Sequence, residues 1–86
     1  MRIKAIYRKN LKMSEGKVAA QVAHAVKNLG STPSDCDIIV LKVSDKKFDE
    51  LIDEQLSLKN YKIFVQKDKG LTEVDPDTPT AAAWIV

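Results

Sequence analysis

The sequence predicts an α/β fold of three layers, α/β/α, with a four-stranded mixed sheet and the element order β-α-β-α-β-β. Three observations predict it. Two stretches carry apolar residues at helical spacing, Val18-Val22-Ala25-Leu29 and Phe48-Leu51-Ile52-Leu56. The run Asp37-Ile38-Ile39-Val40-Leu41-Lys42-Val43 is continuously apolar and β-branched, as in a parallel strand buried on both faces. Strand-like and helix-like runs alternate through the first two thirds of the chain, the pattern of crossover helices on a sheet. At 86 residues the chain is expected to form a single domain, 1–86. It has room for about four strands and two helices of average length.

The elements follow in order. Arg2-Ile3-Lys4-Ala5-Ile6-Tyr7 reads as the first strand. A basic loop, Arg8-Lys9-Asn10-Leu11-Lys12-Met13, leads to Ser14, a good helix N-cap. The helix then runs to Gly30, where a helix stops, about four turns at 3.6 residues per turn. The small residues Ala19, Ala20 and Ala23 are expected to let another element pack close. Ser31-Thr32-Pro33-Ser34-Asp35 is a turn-rich loop before the strand at 37–43. Ser44 or Asp45 caps the second helix, which ends near Leu58, with its acids forming a solvated face. Tyr61-Lys62-Ile63-Phe64-Val65-Gln66 is the third strand, and Ala81-Ala82-Ala83-Trp84-Ile85-Val86 a short fourth, antiparallel to it. The two β-α-β units are expected to be right-handed.

Composition narrows the function classes. Lys and Arg number 14 and Asp and Glu 12, for a net charge of +2. The distribution is uneven: residues 1–30 hold seven Lys/Arg against one acid, net +6, and residues 31–86 hold seven against eleven, net −4. A basic N-terminal part can meet a phosphate backbone. No apolar run approaches the roughly 20 residues of a membrane span, and the chain opens without a signal-peptide pattern, so a cytoplasmic protein is expected. The single cysteine, Cys36, allows no intrachain disulfide and has no metal-site spacing around it.

The first helix carries a second, polar stripe. Lys17, Gln21, His24 and Asn28 share its spacing and bring a cation, two amides and an imidazole onto one face. A solvated surface face explains such a stripe too. However, it holds no acid after Glu15, and its Lys lies in the first turn, where free N–H groups and a cation make an anion seat. A strand, a basic turn and a helix N-terminus in that order put Arg8 and Lys17 near the carboxyl end of the first strand, where open α/β sheets bind ligands. The polar segment after the third strand supplies Asp68, Thr72, Thr78 and Thr80.

These motifs resemble the type 2 peptidyl-tRNA hydrolases. That family's N-terminal pattern, R-x-D-L-K-M-G-x-G-K-[VI]-A-A-Q-x-x-H-A, is matched by the run from Arg8 to Ala25, with Asn10 and Ser14 in place of Asp and Gly. Its second signature, D-x-G-x-T-x-[VI]-x-P-G-[ST]-x-T, is matched from Asp68 to Thr80, with Asp77 in place of Gly and Leu71 where a basic residue is common. Family members usually hold a further helix where this chain has the short loop after Gly30.

The resemblance implies hydrolysis of the ester between peptide and tRNA in peptidyl-tRNA, without a cofactor or metal. It puts activity on Lys17, Asp68, Thr72 and Thr80, with His24 near the site. Arg8, Lys12, Gln21, His24 and Thr78 are expected to contact substrate. Asp68 could orient or deprotonate the water, or fix Lys17; Lys17 could hold a phosphate or stabilise the oxyanion. The expected partner is peptidyl-tRNA, with no membrane, and a homodimer accords with the habit of relatives and with the small size of the domain. The alternative is a non-catalytic relative of the same fold that binds tRNA or a protein partner.

Overall fold

The structure is a computed structural model, and it describes residues 2–30, 35–60, 62–68 and 78–86. The element order is β1 (Arg2–Arg8), α1 (Glu15–Lys27), β2 (Asp37–Val43), α2 (Asp45–Ser57), β3 (Ile63–Lys67) and β4 (Pro79–Ile85). The sheet order is β2-β1-β4-β3. β1 pairs with β2 in parallel, Arg2 opposite Asp37 through Arg8 opposite Val43. β4 runs antiparallel to both β1 and β3. The mixed sheet and the antiparallel last strand are as the sequence predicts.

One helix covers each face. Ile3, Ala5, Ala81 and Ala83 pack with Val22 and Ala25 of α1. Ile6, Ala82 and Trp84 pack with Phe48 of α2. The connection β1-α1-β2 steps one way along the sheet, and β2-α2-β3 returns across it. Two right-handed crossovers of opposite direction put their helices on opposite faces, which is the arrangement found.

β4 is built from alanines, poor strand formers by propensity. Its central position explains them: Ala81, Ala82 and Ala83 are fully buried between two helix layers, where small side chains let both helices approach.

Both helices begin as their sequences predict. The Ser14 Oγ accepts from the Lys17 N–H at 3.2 Å, and the Ser44 Oγ from the Lys47 N–H at 3.1 Å. α1 ends at Asn28, and Gly30 takes φ 101°, the left-handed conformation that favours glycine after a helix.

Two expectations fail. The strand at 37–43 is not buried on both faces. β2 is an edge strand, with Ile38 51%, Val40 46% and Leu41 41% exposed. α1 lies over β1, β4 and β3, and α2 packs against β1, so neither helix is centred on β2. An apolar run shows that a strand can be buried, but not that the chain supplies the cover. Likewise Ala19, Ala20 and Ala23 are exposed, with no element packed closely over them among the described residues.

Candidate active site

The carboxyl edge of the sheet brings together the ends of β1 and β3, the start of β4 and the first two turns of α1. Phe64 and Gln66 of β3 alternate onto the α1 side, and Asp68, just past the strand end, continues that alternation. Its backbone N–H donates to the Thr78 carbonyl at 2.9 Å, which ties the end of β3 to the approach of β4.

Thr80 reaches the same side through a bulge. Gln66 lies opposite Ala81 and Lys67 opposite Pro79, so Thr80 is an extra residue of β4. In unbroken alternation it would share the α2 face with Ala82 and Trp84. The bulge turns its side chain toward α1 instead. There the Thr80 Oγ1 lies 2.7 Å from Gln21 Oε1, to which it donates, and 3.2 Å from the Gln66 carbonyl.

Gln21 then donates through Nε2 to Asp68 Oδ1 at 3.2 Å. The same Asp68 oxygen forms an ion pair with the Lys17 Nζ. The result is a connected series, Thr80 to Gln21 to Asp68 to Lys17. The Asp68 side chain is 1% exposed and that of Lys17 12%. A buried carboxylate is costly unless paired, and Lys17 is placed one helical turn from Gln21 to pair with it. The arrangement holds a cation at the rim of the sheet, with its carboxylate behind it.

The other sequence-predicted residues are spread around this cluster. Arg8 lies at the same edge, but its guanidinium turns toward α2. Its Nε donates to Asp45 Oδ1 at 3.0 Å and an Nη donates to the Pro79 carbonyl at 2.8 Å. The hydrogen bond from Arg8 holds the Asp45 carboxyl below the usual carboxylate range, and the same bond raises the Arg8 pKa. Arg8 therefore ties β1, β4 and α2 together rather than joining Lys17. Lys12 is exposed in the loop before α1, and His24 is exposed in the last turn of α1. Thr78 contributes its carbonyl to Asp68. Thr72 lies outside the described residues, as do Leu71 and Asp77.

The polar stripe of α1 is thus divided. Gln21 is buried and Lys17 nearly so, whereas His24 and Asn28 face solvent. Sequence spacing set these residues on one face, but the sheet covers only the N-terminal half of that face. Sequence reasoning missed the β4 bulge and the carbonyls of Gln66 and Pro79. The only local signal was Pro79 at the strand start, where a bulge or strand end is favoured.

Two comparisons bear on this geometry. The family model described as "Peptidyl-tRNA hydrolase PTH2" matches residues 1–85. A protein of Methanopyrus kandleri named "Peptidyl-tRNA hydrolase" is 36% identical over 89 aligned residues, covering 87% of this chain and 75% of that relative. The match runs through both motifs and every strand and helix described above, and on it the chain belongs to the peptidyl-tRNA hydrolase PTH2 family.

Proposed function

We propose that the cluster of Lys17, Asp68, Gln21 and Thr80 is where this chain hydrolyses the ester between the peptide and the 3′ ribose of peptidyl-tRNA. The observation that carries the assignment is the Lys17–Asp68 ion pair, held at the carboxyl edge by Gln21 and Thr80. In ester hydrolysis a water oxygen bonds to the carbonyl carbon and the carbonyl oxygen takes on negative charge. The bond to the ribose oxygen then breaks, and that oxygen leaves with a proton. A fixed ammonium aimed at the developing oxyanion lowers that barrier. This role falls to Lys17 in the proposal, supported by its ion pair with Asp68 at the sheet edge. Asp68 is too deeply buried to be the first contact for water, so its role here is to hold Lys17 in position. Thr72 is proposed to complete the site from the second motif, with Lys12, His24 and Thr78 around it as substrate contacts. Arg8 acts through the fold rather than on substrate.

The substrate is a product of translation, so this reading makes the protein cytoplasmic, with residues 1–86 acting as one domain. Among the described residues no helix is long and apolar enough to cross a membrane. We also propose that two copies associate. The apolar edge strand β2 supports this, because an uncovered edge invites pairing with another strand. Light scattering over a concentration series tests it; a monomer at all concentrations refutes it.

The activity is tested by release of free tRNA from a labelled N-blocked aminoacyl-tRNA. Asp68→Asn is expected to lower kcat about 10²–10³-fold, the scale of losing one oxyanion-stabilising group, with tRNA binding retained. A folded Asp68→Asn protein with normal turnover refutes the site. Wild-type protein that binds tRNA and releases none refutes the activity.

A further inference from the structure

A second concavity opens on the opposite flank of α1. Because α1 sits over β1, β4 and β3, the α1 side of β2 is left uncovered. The space, about 450 Å³, is lined by the apolar and aromatic residues Tyr7, Leu11, Met13, Val18, Val22 and Val40. Lys9 and Lys42 stand at its rim, with Glu15 as the opposing charge. Lys42 pairs in register with Tyr7, so the cation and the aromatic ring share one face of the sheet.

We propose that this groove receives the unpaired 3′-terminal nucleotides of the tRNA moiety, with a base against Tyr7 and Val40 and phosphates on Lys9 and Lys42. The proposal rests on the peptidyl-tRNA reading of the active site. An apolar lining with one aromatic ring and a cationic rim is the chemistry that binds single-stranded nucleic acid: bases have apolar faces and phosphates need cations. The volume suits a ligand of nucleotide size. A varied peptide chain gives no reason for the two lysines. Glu15 repels phosphate and leaves the Lys9–Lys42 side as the path of the backbone. The groove and the Lys17–Asp68 cluster lie at the same sheet edge, separated by the first turns of α1. A helix with its side chains is about 10–12 Å across, a span that a few nucleotides cover.

The test uses the full chain and a short unesterified RNA ending in the tRNA 3′ sequence. Binding is followed by fluorescence anisotropy and by amide chemical shifts. RNA is expected to shift the amides of Tyr7, Val40 and Lys42. Lys42→Glu, at an exposed position, is expected to weaken RNA binding about fivefold or more and to reduce the salt slope by about 0.7, the share of one single-strand phosphate contact. Its KM for N-blocked aminoacyl-tRNA should rise in parallel. Lys46→Glu makes the same charge change on α2 and should alter neither. Equal RNA affinity in wild type and Lys42→Glu refutes the groove. So does an N-acetylated dipeptide amide that shifts these resonances while RNA does not. The two readings fail separately. RNA bound in the groove without any tRNA release refutes the hydrolase alone, and normal hydrolysis with an unaltered Lys42→Glu KM refutes the groove alone.

Discussion

Gln21→Leu is the perturbation that best distinguishes a positioning role from a substrate contact. The amide is buried, donates to Asp68 and accepts from Thr80. Leucine fills similar volume and removes both bonds. A hydrogen bond to a charged group contributes about 1.5–3 kcal/mol and a neutral one about 0.5–1.5 kcal/mol. Several factors reduce the loss. Thr80 keeps the Gln66 carbonyl, Asp68 keeps Lys17, and leucine has no amide to desolvate. A net loss of about 1–3 kcal/mol follows, which lowers Tm by about 5–20 °C in a domain of this size. With the carboxylate less firmly held, Lys17 is less well aimed. A misplacement on the scale of 1 Å costs about 10²-fold in rate, so kcat should fall about 10- to 100-fold while KM changes little. The assays are thermal unfolding and tRNA release. Thr80→Val and the double variant complete a cycle, with an expected coupling of about 0.5–1.5 kcal/mol because the two residues share one bond. An unchanged kcat with a raised KM refutes the reasoning, since it would mean that Gln21 touches substrate directly. Strict additivity in the cycle would break the proposed series at the Thr80–Gln21 link.

Three further outcomes are expected. Asp45 has its pKa lowered by the hydrogen bond from Arg8, so its contribution is present above the ordinary carboxylate value and is lost as pH falls through its lowered value. The Tm difference between wild type and Asp45→Asn should therefore shrink in that acid range, and a difference that holds constant with pH would exclude the linkage. Ser44→Ala removes the α2 N-cap and should cost about 1 kcal/mol in urea unfolding, with tRNA release per folded molecule unchanged. Lys59 follows the α2 C-cap with φ 59°, so Lys59→Gly should stabilise by up to about 1 kcal/mol, and a fall in the urea midpoint would contradict this.

Much of the fold is determined locally. The apolar spacing of α1 and α2, the serine caps and the punctuation by Gly30 act within a few residues, so the sequence alone places these elements within two or three residues of their observed ends. The two motifs contain Lys17, Asp68 and Thr80, because a short pattern around a helix start or a strand end is itself a local feature, and the fold brings the three into one cluster. Burial is not local. The β2 run is apolar enough for a doubly covered strand, yet sheet order puts it at the edge. The alanines of β4 are weak strand formers, yet position between two helices makes them the centre of the core. The sequence suggests Gln21 and Arg8 as substrate contacts, and says nothing of the side chains that each of them meets in the fold. The β4 bulge, which turns Thr80 toward α1, made Gln21 a buried link. The N-terminus of α2, brought under β1, engaged Arg8 with Asp45. Such roles depend on which elements become neighbours. Residues 37 to 71 apart meet in these contacts, and no spacing along the chain encodes them.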